Sequence, residues 1–144
     1  MDLVVATHGR GLYKVNLKPV HKMPENSQAP FLFNLPEFKR PAYGDTHRNP
    51  DYETLTRTAI SYYLPTAAKV SLMIKDGKEN IIWTKELAGE KGINQYRWDL
   101  ILQSVESDQP YFVNFDEFIP RGKYNLLFTV NGKTMEQRFE VNNQ

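Results

Sequence analysis

Three histidines, His8, His21 and His47, together with 17 carboxylates and no cysteine, are the groups from which this chain could build a reactive centre. No two histidines sit at i, i+2 or i, i+4, so no local imidazole pair converges on a metal ion. Without cysteine there is no thiolate nucleophile, no cysteine-ligated zinc and no disulfide. A metal site would have to assemble from distant loops, and neither a metal nor a cofactor is expected. The most motif-like string, Thr7-His8-Gly9-Arg10-Gly11, is not a phosphate loop, because no Gly-Lys-Ser/Thr follows at the required spacing. It reads as a tight turn in which glycine supplies positive φ. Glycoside hydrolysis needs two carboxyl groups about 5–9.5 Å apart across a sugar cleft. The acids here are scattered: Asp45, Asp51 and Glu53 in one segment, and Glu106, Asp108, Asp116 and Glu117 in another. The Gly-x-Ser-x-Gly elbow of a serine hydrolase is missing too. No catalytic residue is therefore expected. The remaining candidates are Tyr111, Phe112, Phe115 and Phe118, four aromatics within eight residues. They can stack on a sugar, hold a partner domain, or cover an open end of a hydrophobic core.

The elements that must position these residues are strands. Leu3–Ala6 and Leu12–Leu17 flank the glycine turn and read as a hairpin, which alone is marginal in water. Residues 18–56 hold six of the nine prolines, Pro19, Pro24, Pro30, Pro36, Pro41 and Pro50, and no persistent period. Proline removes ladder donors, so this reads as a connector without regular structure, in which Phe31-Leu32-Phe33 docks. From residue 57 onward the period is two. Ile60, Tyr62 and Leu64 share one face, as do Val70, Leu72 and Ile74. Asp76-Gly77 predicts a hairpin turn into Ile81-Ile82-Trp83. Tyr96 and Trp98 follow, then Tyr124, Leu126, Phe128 and Val130. Asn131-Gly132 signals a second hairpin into Met135, Gln137, Phe139 and Val141. Ile60, Leu72, Ile74, Trp98, Leu126, Phe128 and Phe139 are the expected core. Trp98 fills that core, while Asp99 bonds backbone donors where its strand ends. Residues 101–119 carry no clear period and leave room for a short turn of helix at Asp116-Glu117-Phe118. Pro120-Arg121-Gly122 reads as a turn with its glycine left-handed.

At 144 residues, with 40% hydrophobic and 24% charged, the chain belongs to the globular class and can bury a core unaided. A formal net charge of +1 argues against a nucleic-acid partner or an acidic membrane surface. No segment approaches the roughly 20 apolar residues of a membrane span. Met1-Asp2 opens no secretory signal, so the protein is either cytosolic or carries its signal upstream of this segment.

The string Asp2 to Val15, DLVVATHGRGLYKV, resembles the closing strands of a sortilin-like, BNR/Asp-box β-propeller found in bacterial exported proteins of the glycosyl hydrolase-like type. In those proteins a small immunoglobulin-like domain follows, similar to that of the flagellar hook-capping protein. The runs Gly92 to Asp99 (GINQYRWD) and Pro120 to Tyr124 (PRGKY) are the best markers of that resemblance. It implies an antiparallel immunoglobulin/fibronectin-like β-sandwich over residues 57–144, preceded by terminal propeller strands (1–17) and a Pro-rich connector (18–56). The implied role is a non-catalytic accessory domain, periplasmic or extracellular, whose partner is the propeller of the same polypeptide. Two departures accompany it: no Ser-x-Asp-x-Gly-x-x-Trp box is present, and the loop from Asp99 to Pro120 is long and aromatic. Alternative readings are a carbohydrate-binding module using the loop aromatics, and a fragment of a glycosidase whose catalytic residues lie upstream. The apolar residues of 2–17 also make self-association through that hairpin an expectation.

Overall fold

Side-chain alternation alone places one apolar face on each strand, and that face must meet another. The computed structural model describes residues 2–7, 11–16, 28–40, 58–105 and 115–143, and these contain strands and no helix. Strands β1 (Asp2–Thr7) and β2 (Gly11–Asn16) form the expected hairpin, in register from Asp2 opposite Asn16 to Thr7 opposite Gly11. Next come β3 (Phe31–Leu32), β4 (Phe38–Arg40), β5 (Thr58–Leu64), β6 (Ala68–Lys75), β7 (Ile81–Gly89) and β8 (Gly92–Trp98). They are followed by β9 (Ile101–Val105), β10 (Phe115–Phe118), β11 (Gly122–Val130) and β12 (Lys133–Asn143).

A five-stranded sheet has the order β4-β12-β11-β6-β7, and a three-stranded sheet the order β3-β5-β8. Every neighbour pair is antiparallel except β12 with β4, which run parallel from Val141 opposite Phe38 to Asn143 opposite Arg40. One buried cluster draws from both sheets. The larger sheet supplies Val70, Leu72, Ile74, Leu126, Phe128, Val130, Phe139 and Val141, and the smaller supplies Leu32, Ile60, Tyr62, Leu64 and Trp98. Tyr62 meets Phe128 across the gap with ring centroids 5.2 Å apart. Every residue expected in the core is buried.

Four expectations need correction. Residues 31–40 are not structureless: β3 pairs with β5 in one sheet and β4 with β12 in the other. Its prolines permit this because Pro30 and Pro36 lie just outside the two short strands. Phe31-Leu32-Phe33 docks as expected, with Leu32 and Phe33 buried and the Phe33 amide donating to Ser61 O at 3.1 Å. Residues Asp116-Glu117-Phe118 are strand, not helix; β10 pairs with β9 from Phe115 opposite Val105 to Phe118 opposite Ile101. The Asp76-Gly77 turn is a longer loop. The Asp76 amide bonds Asn80 O at 3.0 Å, and Glu79, not Gly77, takes the left-handed conformation with φ 66°. This is the three-residue hairpin geometry of a type I turn followed by a left-handed residue. Finally, Gly122 has φ 158°, nearly extended, and opens β11 instead of sitting left-handed in a turn. At Asn131-Gly132 the φ values of 49° and 75° are those of the predicted two-residue type I′ turn.

Candidate functional site

Of the four loop aromatics, Tyr111 and Phe112 lie outside the described residues. Phe115 begins β10. Phe118 ends it and packs, half-buried, against the core. The segment that carries them is clasped at its base. The Ile119 amide donates to Leu100 O at 2.8 Å, and both side chains are fully buried. Leu100 holds φ 66° to turn β8 into β9, an uncommon conformation for a residue with a Cβ. Its burial offsets a cost of about 1–2 kcal/mol. So the structure brings Phe118 to the core edge and places Phe115 at the start of a paired strand.

His8, His21 and His47 lie outside the described residues, as do Asp45, Asp51, Glu53, Glu106 and Asp108. Asp116 and Glu117 are consecutive in β10. Among the described residues no group of three or more His, Cys, Asp or Glu side chains is placed to hold a metal ion. No helix of the described residues is long and apolar enough to cross a membrane.

A surface concavity of about 520 Å³ lies elsewhere. Its walls are the β6–β7 loop (Asp76, Gly77, Glu79), the start of β11 (Lys123, Tyr124, Asn125) and the middle of β12 (Arg138, Phe139, Glu140). Alternation builds it. Tyr124 and Phe139 point into the core and stack at 5.6 Å, while Lys123 faces Glu140 and Asn125 faces Arg138 on the outer side. The sequence shows no motif at these positions; the only signal is the regular charge on alternate residues.

Two of the polar groups in this concavity, Asp76 and Tyr124, are tied to the backbone beside them. The Asp76 carboxylate accepts hydrogen bonds from the Lys78 and Asn80 amides at 2.8 and 2.9 Å and from Asn80 Nδ2 at 3.0 Å. The Asn80 side-chain bond above all, then its amide, hold the Asp76 carboxyl below the usual carboxylate range. Any stability this contributes is present above the ordinary carboxylate pKa and is lost as pH falls through the depressed one. The Tyr124 hydroxyl donates to Pro120 O at 2.8 Å. Burial raises its pKa, Asp76 raises it further, and Arg40 works against both. The Asp76 carboxylate is thus committed to turn amides and the Tyr124 phenol to a carbonyl. What the arrangement does is close the ends of strands.

Two structural residues escaped the sequence reading. Gln137 stands on the inward face of β12, where a polar side chain is costly to bury unpaired. It donates from Nε2 to Leu32 O and accepts from the Leu35 amide, both at 3.1 Å. The signal was visible: one amide among Met135, Phe139 and Val141. Trp83, expected only as a strand residue, packs on Trp98 with centroids 5.2 Å apart.

No protein-family model matches this chain, and no curated protein matches it in sequence.

Proposed function

We propose that this chain is a non-catalytic accessory domain with an immunoglobulin-like β-sandwich, attached to a β-propeller of the exported, glycosyl hydrolase-like kind. The observation that supports the fold half of this reading is the strand order. Chain segment 31–40 starts in the small sheet beside β5 and crosses to run parallel to β12 in the large one. A tyrosine at the start of the next-to-last strand, bonded to a carbonyl four residues upstream, is the corner used by such sandwiches. The role as an accessory domain is supported by the commitment of Asp76, Tyr124 and Gln137 to a turn, a strand end and an inter-sheet tie. The propeller as partner, export to the periplasm or outside the cell, and residues 2–17 as closing propeller strands rest on the resemblance of the sequence.

A screen with aryl glycosides should show no turnover by this protein. Turnover abolished by a single Asp or Glu substitution would overturn the accessory role. The coding sequence upstream should carry Ser-x-Asp-x-Gly-x-x-Trp boxes in frame; an unrelated upstream sequence would remove the propeller from the reading.

A further inference from the structure

Among the described residues the two sheets that share the core have four edges, and three of them are blunted. Strand β3 offers two residues and β4 three, too short to template a partner. Strand β7 is long, but Lys85 stands opposite the fully buried Leu72, on the core-facing side, and the pairing of β7 with β6 is bulged between Ile74 and Lys75. An inward-pointing charge and a bulge are the devices that discourage edge-to-edge pairing. Strand β8 has neither. It runs seven residues, pairs with β5 without interruption from Trp98 to Gly92, and carries no charge at the core-facing positions 92, 94, 96 and 98. On its outer face Ile93 is 45% exposed and continues a row formed with Tyr63 and Phe31.

We propose that the β8 edge is a self-association surface on which a second copy of this chain adds by antiparallel pairing of β8 with β8. The register follows from the sequence of the edge. Opposed residues in an antiparallel pair share a face, so a two-fold pairing must be centred on a residue. Centring on Asn94 sets Lys91 against Arg97, like charges opposed. Centring on Tyr96 sets Ile93 against Asp99. Centring on Gln95 sets Lys91 against Asp99 of the second copy at both ends, Ile93 against Arg97, and Gln95 against itself. Only this register complements charge, and it lays the alkyl stem of each Arg97 beside the exposed Ile93. The product is a continuous six-stranded sheet, β3-β5-β8-β8-β5-β3, with both β8 ladders satisfied. This surface is distinct from the hairpin of residues 2–17.

The test uses the full chain. Sedimentation from low to high micromolar concentration should show a monomer–dimer equilibrium. Gln95→Lys places two like charges opposite each other on the axis and should weaken the dimer by at least about tenfold. At concentrations where the chain is monomeric its melting temperature should be unchanged, since Gln95 is exposed and gives up only a 3.3 Å bond to Ser61 Oγ. The chain has no cysteine, so single cysteines report pairing directly. Opposed Cα atoms at about 4.5–5.5 Å are within disulfide reach. Gln95→Cys should form a covalent dimer under mild oxidation, whereas Glu86→Cys on the β7 edge should not. A monomer throughout the concentration range, a dimer indifferent to Gln95→Lys, or equal cross-linking by the two cysteines would overturn the proposal.

Discussion

Glu79 illustrates how a single residue can work against the loop that contains it. It holds φ 66°, where a side chain with a Cβ is strained, and its carboxylate makes an exposed ion pair with Lys75 at 3.2 Å. Such pairs contribute little. Glu79→Gly should therefore raise the urea midpoint, by a stabilisation of about 1 kcal/mol. A lowered midpoint would mean that the ion pair outweighs the strain. Phe128 is the opposite case. It is fully buried, meets Tyr62 from the facing sheet, and sits in the middle of β11 between β6 and β12. Phe128→Ala should cost about 3–5 kcal/mol, from lost transfer energy and the cavity left behind. A thermal melt matching the unmodified chain would remove Phe128 from the core. Trp98 Nε1 is buried without a hydrogen-bond partner among the described residues, while its ring packs edge-on to Phe38 at 5.5 Å.

Among the elements, the segment from β3 to β4 does the most with the fewest residues. Its strands are two and three residues long, yet they edge both sheets and bring Leu32, Phe33 and Phe38 into the interior. Strands so short cannot hold themselves by ladder bonds, so a side chain from β12 holds them. Gln137 bonds Leu32 O and the Leu35 amide, both part-buried, and ties the outer strand of the small sheet and the β3–β4 connection to β12 of the large one. Gln137→Leu keeps the volume but leaves both backbone groups unpaired. The expected loss is about 2 kcal/mol in a denaturant titration. Hydrogen exchange should be fastest to rise at the Leu35 amide. A neutral substitution would show that water replaces the amide at that seam. The β11–β12 hairpin depends on its own turn instead, with Asn131 and Gly132 both left-handed.

For the whole molecule, the common core has a thermodynamic consequence. Trp98 belongs to the small sheet and Trp83 to the large one, and they pack together beside Phe38 and Phe139. Neither sheet can unfold without exposing the apolar face of the other. Tryptophan fluorescence and far-UV circular dichroism should therefore follow one coincident urea transition. Separate midpoints would show two independently stable units.

Read from the sequence alone, the strand content, the buried alternate positions and the Asn131-Gly132 turn were all legible. Each depends on neighbours within a few residues: a period of two, or a dipeptide that tolerates positive φ. The paired arms of 101–105 and 115–118 were not legible, because the shortness of β10 and the intervening Glu106–Asn114 hide any period. Nor was the division of residues 31–40 between two sheets. Prolines there correctly forbid a long central strand, but they say nothing about which distant edges two short pieces can meet. The partners of Gln137 and the convergence of Asp76, Tyr124 and Arg138 on one concavity likewise join residues remote in the chain. Local propensity determines which face of a strand is apolar. Which strands lie beside one another is decided by the packing of both sheets onto one core, and only the tertiary structure carries that information.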